Sequence, residues 1–366
     1  MRKLFITGES GMLATSIIKA LENYTQERFE VMDNSDLAEY TNDFSYLDSK
    51  LVKAKEVDVT NKKVLNKITK RLTQDDIIIH TAAYVNTDKC EDFSYEAVKS
   101  NILSTQYLID VANSVGCKMI YFSTTAVFDP DEYMKNNGEF DESAPIDPKT
   151  LYGLSKYSGE LAIKQSMDFE KMMIIKPVFI YGDAPFDNSS MIRKICEKVY
   201  CDMNNIPYTL SPLVETHLSK NGKLEVLLDP EIDKDYMRYE YFADMFLELL
   251  LMDNGWGKDF IISKDRPMPF ENYLYLIEEI TGCNNLKSHI RLIPEGDYLA
   301  RHNGKSKNFY DLYQHYILPA DAYNSREGIQ KTYNSICKHY GYLEEDNEKI
   351  STTDTKPAKQ TRQFHI

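Results

Sequence analysis

Ile77-Ile78-Ile79 is apolar at every position, and no other feature of the chain restricts its fold more. A strand with one wet face alternates apolar and polar residues; an unbroken apolar run belongs to a strand covered on both faces, the usual state in a parallel sheet. The run follows Asp75-Asp76 and ends in His80-Thr81-Ala82-Ala83, where small side chains leave room for the backbone of a ligand. His80 reads as a packed strand-end histidine with no chemical role. Comparable short strands are read at Lys3–Thr7, Phe29–Met32, Val57–Val59 and Met119–Phe122. Between the runs at 77–79 and 119–122, Val98, Ile102, Leu108, Ile109 and Ala112 recur at helical spacing, so a helix is predicted from about Tyr95 to Val115, closed by Gly116. Asn101 lies inside it, a mildly unfavourable place for asparagine that suggests a structural or functional reason. Strands alternating with helices predict an α/β architecture, a parallel sheet with helices on both sides.

The first strand runs into Gly8-Glu9-Ser10-Gly11-Met12-Leu13-Ala14 and then the apolar-periodic Ile17, Ile18, Ala20 and Leu21. Strand, glycine turn and helix form the setting of a dinucleotide-binding turn. Gly8 permits the tight turn, and Gly11 lets the backbone approach a pyrophosphate at the positive end of the helix; Ala14 takes the place of a third glycine. Ser10, Met12 and Leu13 belong to the same candidate cofactor turn, and Ala82 and Ala83 face it from the neighbouring strand end. Asp33, at the end of the second strand, suits the adenosine ribose hydroxyls, which favours NAD(H) over NADP(H). Asp36 competes for that role, and NADP(H) stays open. Asp58 and Val59 are candidates for the adenine side.

Tyr152 and Lys156 are four residues apart, hence on one face of a helix. An ammonium beside a phenol favours the phenolate and brings its pKa toward neutrality, so the tyrosine can exchange a proton with a carbonyl or alcohol oxygen. Such a pair alone is a weak signal, because most are solvated helix faces. Its weight comes from Ser123-Thr124-Thr125, which the strand at 119–122 delivers to its carboxyl end, where hydroxyls face the ligand crevice.

The ordered set Thr7-Gly8-x-x-Gly11-Met12-Leu13, Ala82-Ala83-Tyr84 with Asp88-Lys89-x-Glu91, Asn101, Ser123-Thr124-x-x-Val127-Phe128-Asp129 and Tyr152-Gly153-x-Ser155-Lys156-x-x-Gly159-Glu160 resembles the extended short-chain dehydrogenases/reductases. Its closest likeness is to the dTDP-4-dehydrorhamnose reductase-like, sugar-nucleotide-binding subgroup. Glu142-x-x-x-Pro145 and Lys176-Pro177-Val178-x-x-Tyr181-Gly182 add to the likeness, which is dense over residues 1–182. The resemblance implies a Rossmann-type doubly wound sheet with a smaller mixed substrate lobe. It also implies an NAD(P)-dependent reduction of a 4-keto group on a nucleotide-linked deoxysugar. By the same resemblance Thr124 polarises the carbonyl, Tyr152 is the general acid/base, and Lys156 holds the nicotinamide ribose. Val178 lies near the nicotinamide amide; Asn101 either contacts the cofactor side or bridges helix and strand. Thr125 and Ala126 stand where the dehydratase relatives carry an Asp-Glu pair, which disfavours dehydration. The reductase relatives often carry Asp-Tyr there, so Thr125 is a candidate substrate contact with an open partner. An epimerase using the same three residues and a non-catalytic nucleotide-binding subunit are the other readings.

The implied domains are 1–182 with about 236–264 for the cofactor, and 183–235 with 265–342 for the substrate lobe. In that lobe Arg193 and Arg238 are candidates for the substrate pyrophosphate, against the alternative of ordinary surface charges. The tail from about Leu343 is polar and expected to be disordered. The net charge of −14 argues against nucleic acid as partner. Six scattered cysteines lack a zinc spacing and read as reduced thiols of a cytoplasmic protein, with no metal site. No apolar run is long enough for a membrane span, and no signal segment precedes the first strand. The expected partner is a nucleotide-sugar, with a homodimer among the allowed assemblies.

Overall fold

The computed structural model describes residues 4–8, 11–29, 59–129, 141–183, 190–208, 218–227, 233–251, 253–263, 268–293 and 324–341. Ser10, Asp33, Asp36, Asp58 and the tail from Leu343 lie outside the described residues. The chain divides into two compact units: Met1–Val178, Tyr239–Arg266 and Tyr298–Leu318 form the first, and Phe179–Arg238, Pro267–Asp297 and Pro319–Ile366 the second.

Among the described residues the first unit carries a five-stranded sheet of β1 (Leu4–Thr7), β2 (Ile77–His80), β3 (Lys118–Phe122), β4 (Met172–Pro177) and β5 (Asp259–Ile262), in that order. All four pairings are parallel, with Thr7 opposite His80, His80 opposite Tyr121 and Ile175 opposite Phe260. Parallel strands need crossovers, and the described helices supply them: α1 (Met12–Phe29), Lys62–Thr69, α2 (Ser104–Val115), α3 (Leu151–Ser166) and α4 (Tyr239–Leu251). Because successive side chains alternate in a strand, each strand feeds two cores. Phe5, Ile78, Met119, Tyr121, Met172 and Ile174 pack with Leu108, Ile109 and Ala112 of α2 and Ile163 of α3. On the other face Phe122 meets Phe242 and Phe246 of α4, with ring centroids 5.8 and 5.3 Å apart. Ile77, Ile78 and Ile79 are all buried, as a doubly covered strand requires.

Three local expectations are corrected. Phe29 ends helix α1 instead of opening a strand, because the helical register continues past Leu21. Val59 sits in a turn, and its side chain is buried among Phe5, Leu65 and Leu72. The helix expected from Tyr95 is interrupted: Val98–Leu103 is a π-helical segment, and regular α-helix resumes at Ser104. Gly116 does close it, in the left-handed conformation at φ 83°.

The second unit has its own core, formed by helices Met191–Met203, Phe270–Thr281 and Ser325–His339 with two-stranded pairings, among them Leu224–Leu227 parallel to Ile290–Ile293. Tyr181, Tyr200, Tyr236 and Tyr273 fill this core, so these tyrosines serve packing. Cys196, Cys201, Cys283 and Cys337 lie in it as free thiols; burial pushes Cys196 up to about 12, away from reactivity. Among the described residues no helix is long and apolar enough to cross a membrane.

Helix α3 approaches β3 at a glycine. A methyl group on Gly159 would collide with the hydroxyl of Tyr121, a buried ring whose hydroxyl donates to Lys156 O at 3.2 Å. Alanine gains up to about 1 kcal/mol in helix propensity. Overpacking against a ring that cannot leave costs about 1–3 kcal/mol, and it should win. Gly159→Ala is therefore expected to lower the urea unfolding midpoint; a raised midpoint would contradict this packing.

Candidate active site

At the carboxyl ends of β1 and β2 the backbone is drawn together closely. Gly8 has φ 73°, and a Cβ there would come within 2.8 Å of Ala82 Cα. Only glycine fits both the positive φ and this contact. Gly11 N donates to Gly8 O at 2.8 Å, which closes the turn that starts α1 at Met12 and Leu13. Ala82 N donates to Thr7 Oγ1 at 3.1 Å, and Thr81 Oγ1 donates to Thr7 O at 2.6 Å. Ala82 and Ala83 are half-buried at this edge.

His80 lies beneath it. Its Nδ1 is 2.8 Å from Thr7 Oγ1 and its Nε2 is 3.1 Å from Thr105 Oγ1, which itself donates to Asn101 O. Burial and the Lys156 charge push His80 down to about 3, so the ring is neutral and its work is structural.

Asn101 lies in the π-helical segment and is fully buried. Its Oδ1 accepts from Tyr84 N at 2.7 Å, and its Nδ2 donates to Tyr84 O at 3.1 Å and to Ser155 Oγ at 2.9 Å. Both amide hydrogens are thereby engaged within the protein. The side chain clips the segment after β2 to α3, the helix that carries Tyr152.

The start of α3 is fixed from three sides. Thr150 Oγ1 accepts from Gly153 N at 3.1 Å as N-cap, and Glu91 accepts from Leu151 N at 2.7 Å. A Cβ on Gly153 would collide with Ala126 O, so the helix rests directly on the Thr125–Val127 turn. Tyr152 packs against Ala126, Ala97 and Cys90 as a result. Thr124 caps that turn: its Oγ1 accepts from Ala126 N at 3.2 Å. Thr125 is buried within the turn. Thr124, Tyr152 and Lys156 are each at most 6% exposed.

Lys156 Nζ lies 4.2 Å from the Tyr121 ring centroid, a cation–π contact. Burial lowers the Lys156 ammonium to about 7, and the Glu160 carboxylate opposes that fall. Glu160 accepts a short hydrogen bond from Ser123 Oγ and pairs with Lys176 Nζ at 3.1 Å. Lys176 reaches Asp259 at 2.9 Å, and Asp259 reaches Lys164 at 2.7 Å. Burial alone would lower Lys176, but the two carboxylates raise it; burial would raise Asp259, but Lys176 and Lys164 hold it below the usual carboxylate range. Sequence reasoning gave Glu160, Lys176 and Asp259 no role. The available signals were Glu160 one turn after Lys156 and a lysine inside the apolar strand Met172–Pro177.

The remaining candidates are placed as follows. Val178 is buried just past β4, its N–H donating to Ile262 O at 3.1 Å. Arg193 and Arg238 belong to the second unit. Arg193 pairs with Glu197 at 3.0 Å. Arg238 pairs with Asp183 at 2.8 Å and donates to Thr332 Oγ1 at 2.8 Å and Gly328 O at 3.3 Å. Both guanidinium groups are thus engaged by internal partners. Among the described residues no cluster of His, Cys, Asp or Glu is suited to a metal ion.

Residues 1–200 match the family described as the RmlD substrate binding domain. The chain is 31% identical over 183 residues to a dTDP-4-dehydrorhamnose reductase of Aggregatibacter actinomycetemcomitans, covering 50% of this chain and 53% of that protein. It spans about half the length of such curated relatives. A longer match, 28% identical over 314 residues, is to an uncharacterized membrane protein of Methanocaldococcus jannaschii and covers 81% and 86% of the two chains. The solved dTDP-4-dehydrorhamnose reductase of Bacillus anthracis, in complex with NADP, shares the fold at TM-score 0.61 and 19% identity, over 91% of this chain and 99% of that one. With a family match over more than half its length, the chain belongs to the RmlD substrate binding domain family of the extended short-chain dehydrogenases/reductases.

Proposed function

We propose that the chain is an NAD(P)-dependent oxidoreductase of nucleotide-sugar metabolism that reduces the 4-keto group of a nucleotide-linked deoxysugar. The observation that carries this reading is the seating of Tyr152 and Lys156 on one face of α3 against the Thr124 turn, through Gly153. The reductase relative supports the substrate class. Thr125 and Ala126, with no carboxylate between them, speak against an elimination.

The residues present fit a dinucleotide. Gly8 makes the tight turn at positive φ packed against Ala82, and Gly11 opens the start of an 18-residue helix, where backbone N–H groups favour an anion. A reduced nicotinamide bound there would supply the hydride. Thr124 Oγ1 accepts from Ala126 N, so its hydrogen is left to donate to the substrate carbonyl oxygen. Tyr152 gives that oxygen its proton. Lys156, as an ammonium, holds the ribose hydroxyls and stabilises the phenolate left behind. Met12, Leu13, Ala82, Ala83 and Val178 complete the proposed cofactor side, and the sequence adds Ser10, Asp33 and Asp58 as candidates; Asn101, committed to Tyr84 and Ser155, acts as the clip, and the Val59 side chain packs in the core. For Arg193 or Arg238 to hold the sugar pyrophosphate, Glu197 or Asp183 would have to be displaced.

Two sets of measurements test this. Nucleotide-sugars offered with each cofactor should include one ketone that oxidises reduced nicotinamide in equal amount; product without net oxidation would favour an epimerase, and tight cofactor binding without turnover a binding subunit. On that ketone Tyr152→Phe should reduce turnover by about 10²–10⁴-fold with the fold intact. Thr124→Val should reduce turnover with little change in cofactor affinity, and Lys156→Met should reduce both. Full activity in Tyr152→Phe ends the mechanism.

The cofactor preference rests on Asp33. A carboxylate beside a 2′-phosphate is repulsive, so calorimetric titration should give tighter binding of NAD(H) than NADP(H), and Asp33→Ala should narrow the gap. A preference of the unaltered protein for NADP(H) would refute it.

A further inference from the structure

Glu160 lies one helical turn beyond Lys156 and two beyond Tyr152, on the same face of α3, and is 1% exposed. A carboxylate this deep persists only where partners compensate its lost hydration. Its Oε1 accepts from the hydroxyl of Ser123, the residue before Thr124, and its Oε2 pairs with Lys176. Ser123 is itself fixed by its N–H to Ile175 O at 2.7 Å, and Lys176 by Asp259. The carboxylate is therefore held in one place by two strands while its helix presents Lys156.

We propose that Glu160 is a positioning residue for the reaction assigned above, supplying the fixed negative charge that sustains the buried Lys156 as an ammonium. The inference rests on that assignment only for the use made of the ammonium. The titratable groups facing Lys156 are His80 from β2, Tyr121 from β3, and Tyr152 and Glu160 from its own helix. His80 is neutral, and burial together with Glu160 keeps Tyr121 a phenol. Glu160 is the carboxylate among these groups, and Lys176 is its ion-pair partner at 3.1 Å. Burial brings Lys156 down to about 7, and Glu160 is what holds it from falling further.

The test reads Lys156 directly, in the protein free of cofactor and substrate. Lysines labelled with ¹³C and ¹⁵N are followed by NMR across pH, and Lys156 is assigned by its loss in Lys156→Met. Glu160→Gln keeps the size of the side chain and an oxygen for Ser123 but removes the charge. Lys156 should then titrate about one pH unit lower or more, a loss of roughly tenfold in proton affinity. Ser123→Ala leaves the charge in place and should move the titration much less. An unshifted Lys156 in folded Glu160→Gln, or an equal shift in Ser123→Ala, overturns the proposal. If Glu160→Gln does not fold, the double variant Glu160→Gln/Lys176→Met removes the buried pair together and takes its place. Its Lys156 should still titrate below the wild type, and a wild-type value overturns the proposal. Because no substrate enters this measurement, failure to find a reducible sugar would count against the assigned reaction alone.

Discussion

The close approach of helix α3 to strand β3 is the constraint on which the site depends. Two glycines set it. At Gly153 the helix rests on the carbonyl of Ala126, and at Gly159 on the ring of Tyr121. Tyr152 adjoins the first of these points and Lys156 lies between the two, so their height is set by contact with the Ala126 backbone at one end and with the buried Tyr121 ring at the other. The Asn101 clip, the Thr150 cap and Glu91 then fix the helix lengthwise and in rotation. Such rigidity matters because proton transfer needs heavy atoms within hydrogen-bond reach.

The same approach creates an electrostatic problem. It buries Lys156, and the chain meets the cost with a line of alternating charges that runs from Glu160 through Lys176 and Asp259 to the half-exposed Lys164. Each buried charge has an opposite neighbour, so no member is left alone in a medium of low dielectric. The lysine that the proposed chemistry uses sits beside this line and borrows its field.

Much of this was legible in the sequence because it is local. Ile77–Ile79 announced a doubly covered strand, Gly8 and Gly11 the turn before α1, and Gly116 a helix end, each within a few residues. Tyr152 and Lys156 were visible as a pair because a helix turns i into a neighbour of i+4. What stayed hidden is tertiary. Glu160, Lys176 and Asp259 come from a helix and two strands, and nothing in their spacing says that they meet. Arg193 and Arg238 read as candidates for a substrate pyrophosphate or as surface charges, and Glu197 and Asp183 engage them. The π-helical segment at Val98–Leu103 is six residues, fewer than two helical turns, too short to show a period of its own in the sequence. Phe29 was misread because a short apolar cluster at a helix end resembles a strand start.

The central claim is that this site delivers a hydride from a nicotinamide to a sugar carbonyl carbon. Transfer of isotope tests it most directly. Reduced nicotinamide carrying deuterium at its reactive carbon is incubated with the protein and a nucleotide-linked 4-keto sugar, and the product is examined by NMR. The account predicts deuterium on the new carbinol carbon of the sugar in the wild-type protein. Product whose carbinol carbon carries only solvent hydrogen, with the deuterium still on the cofactor, would contradict it.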